Sequence, residues 1–493
     1  MGQPDVIVVG AGFGGLAAAI DIAAAGHRVL VIEAADQPGG KAGTVEIDGV
    51  RFDTGPSVLT LPHIPRELLA KASAELADRF VLRRPTPAFR YAFDDGVVID
   101  TFHEVEATLA SVNGALGSEA RAELTRFLDY AKGVWDAAAP PFVFGSAPSV
   151  AKVLAMGPST WWQLRRADPF RSMWAAIRQM VQSPHLRAIF ARFATYNGSD
   201  PRRAPATLNC IAHVEMGLGG FGIEGGLGGL VALMVEACER LGVEIRTQSP
   251  VTRLILDRNR MMGVEIGTGE VITASHVVAN ADAAHVFGEL LPQQRRRRTA
   301  AARYPSTSGW CGVLKAQPSE VRAPHTVWMP TPYLNEFRDL FERDQPPERP
   351  AVYICDQMAC HGRTGWPDGR GPVFVMANAP AEPATGSRPE TTWAALETKV
   401  LETARRAGLL ASDDTLVWSR SPSELAARFP GSRGSLYGAA SNDWTSAFRR
   451  PANQVADVPG LYLASGSAHP GGGVPLAMQS GRAAAQDVLR RLS

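Results

Sequence analysis

The sequence predicts an α/β protein with a Rossmann-like nucleotide-binding sheet. Three stretches predict it: VIVVGAGFGGLAAAI (6–20), IEGGLGGLVALMVEACERLGVEIR (223–246), and GLYLASG running into SAHPGGGVP (460–475). Each couples a short apolar strand or a glycine turn to an apolar helix, the change of period expected where strands and helices alternate. At 493 residues the chain exceeds one ordinary core, and about 150 residues per domain gives two or three units.

VIVVG reads as a strand buried on both faces of a parallel sheet. It runs into Gly10-Ala-Gly12-Phe13-Gly14-Gly15, then a helix closed by Gly26, then the strand HRVLVIEA ending at Glu33 and Ala34. This is G-x-G-x-x-G in its full strand–turn–helix–strand setting, with the acidic residue at the end of the second strand. Gly10 permits the tight turn, Gly12 admits a pyrophosphate close to backbone, and Gly15 lets helix and strand approach. The helix start offers N–H groups and a positive dipole end to phosphate. Glu33 would accept both hydroxyls of an adenosine ribose and repel a 2′-phosphate. Downstream, Gly39-Gly40-Lys41 forms a second glycine turn whose cation is expected to brace the same pyrophosphate, and FDTGPS (52–57) offers further backbone donors at Gly55, Pro56 and Ser57.

Composition narrows the partners. Lys+Arg 50 against Asp+Glu 49 gives a net charge of +1, too little concentrated positive field for nucleic acid. The five cysteines are scattered without zinc-ligand spacing, so no metal site is expected and the thiols read as reduced, in a cytosolic setting. No secretory leader and no spanning apolar stretch is read. Nothing in the sequence marks an oligomeric state.

GGKAGT followed by FDTGPSVLT resembles the flavin amine oxidase superfamily, and especially its bacterial carotenoid (phytoene) desaturase branch. The segments FATYNGSDP, IEGGLGGLVALM, VEIRTQSPVTRL, VVANADAAHVF and SGSAHPGGGVP follow in that family's order, so the resemblance spans the whole chain. DTGPSVLTL, RFATYNGSDP and FVMANAP are most similar to the hydroxycarotenoid 3,4-desaturase (methoxyneurosporene dehydrogenase) group. The resemblance implies FAD as cofactor, an acyclic carotenoid as substrate, and a fold in which an FAD-binding domain (1–80, 213–290 and 456–493) interleaves with an α+β substrate domain (81–212 and 291–455). Phytoene desaturation, oxidation of another terpenoid, squalene-like compound or amine, and non-catalytic carotenoid carriage are the alternatives. The strand VEIRTQ with Pro250-Val251 is expected at the adenine end, Val251 offering backbone to the ring.

Residues 140–190 mix Phe142, Phe144, Trp161, Trp162, Phe170 and Trp174 with Arg165, Arg166, Arg171 and Arg178. Indoles and snorkelling arginines suit a lipid interface, so a helical, membrane-facing subdomain is expected here, peripheral to the inner face of the membrane. The run Arg295 to Arg298 is open between a solvated helical face and attraction to anionic headgroups. A flavin dehydrogenase takes hydride at N5, and allylic hydrogens leave a cation delocalised along a polyene, so positioning carries most of the effect. The catalytic group stays unassigned: His213, Glu215, Glu224 and His469 are candidates as proton acceptor, none singled out. Finally, Gly466, Gly473, Val474, Pro475 and Met478 mark a glycine hinge and helix start. Its positive end would face the flavin pyrimidine edge, with proline fitting the first turn.

Overall fold

The computed structural model describes residues 3–148 and 165–492. In chain order the strands of its two large sheets are β1 (Val6–Val9), β2 (Val29–Ile32), β3 (Phe89–Phe93), β4 (Val98–Thr101), β5 (Glu244–Arg246), β6 (His276–Ala279), β7 (Ser308–Ala316), β8 (His325–Met329), β9 (Val352–Asp356), β10 (Gly371–Ala379), β11 (Thr415–Arg420) and β12 (Leu461–Leu463). The helices that position the site are α1 (Phe13–Ala24), α2 (Ser118–Phe142), α3 (Gly226–Arg240), α4 (Glu390–Arg406) and α5 (Val474–Leu492).

The first sheet has the order β12-β6-β1-β2-β5, with every pair parallel. Alternation along its strands explains its two covers. Val6, Val8, Val29 and Val31 face a core shared with α1, α3 and α5. Ile7, Val9, Leu30 and Ile32 face the opposite way, against Leu254, Val264 and Ile266 of a three-stranded antiparallel sheet (251–273). Strands buried on both sides read as uninterrupted β-branched runs, as VIVV and VLVI do.

The second sheet is mixed, in the order β11-β7-β10-β9-β8-β3-β4, antiparallel except for β8 against β3. One face is sealed by α4: Trp393, Leu396 and Val400 pack on Trp310, Ile354, Val373 and Val375. The other face stays open over a cavity, towards which Phe374, Met376 and Asn378 of β10 alternate. Helix α2 and the helices Met173–Met180 and Pro184–Arg192 close the far side in a third core with Phe89, Tyr91 and Val327.

Residues 213–218 lie between two cores: Val214 packs in the core shared with α1, α3 and α5, Met216 packs in the third, and Glu215 is held by Tyr91 and Tyr196. The arginine run is not a helical face. Arg295 ends a single 3-10 turn (Gln293–Arg295), Arg296 donates to the carbonyls of Glu289 and Leu291, Arg297 pairs with Asp457 across Phe287, and an α-helix begins only at Ala300. Trp161 and Trp162 lie outside the described residues.

Candidate functional site

The glycine fingerprint is built by contacts as well as by φ. Gly10 sits at φ +95, and a Cβ on Gly14 would meet the Ala464 carbonyl at 2.1 Å, one on Gly15 the Gly10 carbonyl at 2.0 Å. The Asn280 amide, bonded to that same Ala464 carbonyl, would stand 2.7 Å from a Cβ on Gly12. Thus α1, β6 and β12 converge where only glycine fits. The start of α1 has no side-chain cap and no acidic residue in its first turn, so its N–H groups are left for an anion. Phe13 is buried in the core beneath it.

Glu33 is 9% exposed and accepts from the Ala11 N–H at 2.6 Å and the Ala35 N–H at 2.8 Å, one on each carboxylate oxygen. Each oxygen keeps a lone pair for a ribose hydroxyl. Its own backbone is tied to Arg246 and Ser249, which sets the 244–251 segment, with Val251 opening the next strand, beside it; Ala34 is exposed. The second glycine turn docks on the first, Gly39 N–H to Ala11 O at 2.9 Å, and Gly40 approaches Gly12 closely. These residues fit an adenine dinucleotide.

Lys41 reaches a remote loop. Its Nζ donates to the Ser435 and Leu436 carbonyls, both at 2.9 Å. Burial pulls its ammonium below the usual lysine range, against the charge of Asp282.

A cavity of about 870 Å³ joins the remaining elements. One end is formed by Gly55, Pro56 and Ser57 together with Gly473, Val474 and Pro475 at the start of α5. A Cβ on Gly55 would meet the Lys41 carbonyl at 2.0 Å, whereas one on Gly473, at φ +104, would meet nothing within 4 Å. Gly466 lies behind this end, its carbonyl held by Arg450 at 2.8 Å. Met478 does not reach the cavity: it is buried with Val474 and Val488 in the core beneath α1, a face that α5 needs for its own packing.

Of the proton-acceptor candidates, Glu224 pairs with Arg83 at the surface, and His213 is half-buried with burial holding its imidazole below the usual range. His469 lines the cavity with Nε2 on the Gly145 carbonyl at 2.9 Å. Glu215 also lines it, buried, its oxygens taking the Tyr91 hydroxyl at 2.9 Å and the Tyr196 hydroxyl; burial raises its carboxyl and the nearby Arg192 opposes this.

Several wall residues escaped sequence reasoning. Arg450 is buried and donates to the carbonyls of Tyr437, Ala439 and Gly466; burial brings its guanidinium down to about 10. Arg192, Tyr333, Tyr353, Tyr437 and Asn378 line the same space. RFATYNG marked only a resemblance, and no local pattern announces a buried arginine. Among the described residues one trio of ligand-type side chains converges, His325, Cys355 and Cys360, all buried. His325 spends both ring nitrogens on neighbours, the Tyr353 hydroxyl at 2.8 Å and Cys360 Sγ at 3.1 Å, while burial pushes the Cys355 thiol up to about 12. The trio is thus a hydrogen-bonded part of the buried core.

A nucleotide fingerprint leading into a deep apolar cavity defines a flavin-dependent oxidoreductase, and the family comparison agrees. Residues 13–489 match the flavin containing amine oxidoreductase family, and the chain belongs to it. A flavin carried on a dinucleotide fingerprint is FAD. Among curated proteins the chain is 32% identical over 500 residues to a hydroxyneurosporene desaturase of Rubrivivax gelatinosus, covering 99% of this chain and 93% of that one. It is 29% identical over 493 residues to a 4,4'-diapolycopene oxygenase of a Methylomonas species, covering 97% and 96%. Among solved structures an oxidoreductase from Methanosarcina mazei superposes with a TM-score of 0.63 at 15% identity, over 98% of this chain and 99% of that one, which shows a shared fold.

Proposed function

We propose that this chain is an FAD-dependent carotenoid desaturase that introduces C=C bonds into an acyclic polyene, with a 1-hydroxycarotenoid as substrate and a 3,4-desaturation as the reaction. The observation that carries this is the cavity: about 870 Å³, walled by Val58, Phe142, Val327, Phe374 and Met376, and reaching the glycine turn at 473. Such a volume stands near the upper end of small-molecule sites and suits a long apolar ligand. Full-length similarity to hydroxyneurosporene desaturases supports the oxidation state and the oxygenated substrate.

When bound, FAD supplies the hydride acceptor at N5. The chain's part is placement. Gly10–Gly15, Glu33 and Gly40 hold the adenosine diphosphate half. Gly55, Pro56, Ser57, Gly466, Gly473, Val474 and Pro475 frame the ring end, with Val251 at the adenine. The positive end of α5 favours negative charge at that end. The face of β10 and the helices around 135–143 exclude water and align an extended chain, and a polyene disperses the positive charge that develops beside the broken C–H bond. We assign 1–80, 213–290 and 456–493 to the FAD domain and the remainder to the substrate domain, with Val214 already packed in the core beneath the first sheet.

Peripheral membrane association accompanies this reading. Phe170 and Trp444 line the cavity's outer end and are 82% and 58% exposed, their rings 6.3 Å apart, with Arg165, Arg303 and Arg449 in the segments around them. Among the described residues no helix is long and apolar enough to cross a membrane; the exposed aromatic rim is what supports collection of the polyene at a membrane surface.

The test is anaerobic reduction of the holoenzyme by candidate polyenes in vesicles. Bleaching of the oxidised flavin band by a hydroxylated acyclic carotenoid, and not by an amine, is the expected result. An unbleached flavin with every polyene, or bleaching by amines alone, overturns it.

A further inference from the structure

Hydride removal from a hydrocarbon calls for an apolar wall, yet part of this wall is charged. Arg192 is 7% exposed and lines the cavity. Its guanidinium lies 5.2 to 5.9 Å from the ring centres of Tyr196, Tyr91 and Tyr353, and Nη1 donates to the Tyr196 hydroxyl oxygen at 3.2 Å. Among the described residues that is its one side-chain hydrogen bond. The hydroxyl protons of Tyr196 and Tyr91 are both committed to Glu215. Tyr333, 4% exposed and on the same wall, has a hydroxyl with no partner among the described residues, and the charge of Arg192 acts on it.

Buried donors without acceptors are rare in folded proteins because leaving them bare is costly. A plain hydrocarbon filling the cavity would strip water from Arg192 and leave the buried Tyr333 hydroxyl unpaired. An oxygen on the ligand would satisfy both. The Glu215–Tyr196–Tyr91 set keeps the guanidinium oriented through the hydrogen bond to Tyr196 and supplies a countercharge.

We propose that Arg192 and Tyr333 form an oxygen-binding subsite that takes the terminal hydroxyl of the polyene, Arg192 donating to its oxygen, and so fixes which bond along the chain is presented for oxidation. This rests on the carotenoid reading above and adds to it the residues that select the oxygenated substrate. Sites built to bond a substrate hydroxyl reject the analogue lacking it far more strongly than apolar pockets discriminate a missing methylene.

The test compares initial anaerobic flavin-bleaching rates with a tertiary 1-hydroxylated acyclic polyene and with the hydrocarbon polyene of equal length, each in phosphatidylcholine vesicles. Wild-type holoenzyme is expected to favour the hydroxylated substrate by about ten-fold or more, Tyr333→Phe to cut that ratio about five-fold, and Arg192→Gln to bring it near one. Flavin content reports folding, and the near-isosteric Tyr333→Phe decides the matter should Arg192→Gln lose its flavin. A wild-type preference that survives in flavin-loaded variants overturns the subsite, as does equal loss on both substrates, the signature of a proton acceptor. Equal wild-type rates overturn the subsite and leave the carotenoid reading standing, whereas no bleaching by either polyene overturns both.

Discussion

Glu336 sits 1% exposed beneath the cavity wall, accepting from the Ala351 N–H at 2.6 Å and the Asn378 amide at 2.8 Å. Burial outweighs both donors and pushes its carboxyl up from an ordinary 4.5 to about 7. Between those values the folded chain holds a proton that the unfolded chain has released, so this residue's contribution to stability falls as pH rises from about 4.5 to 7. At roughly 1.4 kcal/mol per unit the full swing is about 3 kcal/mol. Glu336→Gln should therefore gain thermal midpoint relative to wild type on going from pH 5 to pH 8; parallel pH profiles for the two proteins would refute the shift. Nothing in YLNEFRDLF marks this position, because the acidity is set by β9, β10 and their loops. The fingerprint differs: Gly10, Gly12, Gly15 and Glu33 act within one strand–turn–helix–strand unit, where spacing alone carries the geometry. Lys41 shows the limit of that logic, since its two carbonyl partners, Ser435 and Leu436, come from a loop remote in sequence that spacing does not reveal.

At the level of elements, the helix that closes the chain is fixed by its fit against the one that opens it. A Cβ on Gly481 would meet the Gly14 carbonyl at 2.1 Å and the Ala17 methyl at 3.0 Å, so α5 crosses α1 with no room for a methyl group. Gly481→Ala should push the helices apart, cost about 2 kcal/mol through overpacking, and loosen cofactor retention at the start of α1. Gly114→Ala, on an exposed helix face with nothing within 4 Å of the added methyl, is the control and should hold or raise stability, since alanine favours helix. Melting curves and flavin content of the two variants separate them; equal behaviour would remove the tight crossing. Strands such as VIVV and HVVA were legible from their β-branched runs, and the start of α5 from Val474-Pro475. The crossing was not, because Gly481 reads locally as an unremarkable glycine in a helix. The whole of β7 to β11 likewise gave little signal, since a mixed sheet's order depends on pairings between remote segments.

Across the whole molecule, the cavity runs from the glycine turn of α5 to an aromatic rim, and the rim is assembled from two remote stretches. Phe170 falls in the aromatic and arginine-rich region that the sequence singled out, but its ring partner Trp444 does not. Replacing Phe170 and Trp444 together with serine should lower pelleting with anionic vesicles several-fold while flavin content stays put, because both side chains face outward far from the nucleotide site. Unchanged pelleting would take the rim away from the lipid surface. Composition hinted at an interface only where indoles and arginines cluster in sequence, and surfaces are seldom built that way.

Lys41 gives the two ends of the molecule a common fate. Its ammonium grips the Ser435 and Leu436 carbonyls, and Tyr437, next in line, forms part of the cavity wall while its own carbonyl is held by Arg450. The nucleotide turn and the wall are thereby linked through one side chain. Thermodynamic reciprocity then applies: by whatever factor a seated cofactor tightens the grip on a polyene, a seated polyene tightens the grip on the cofactor.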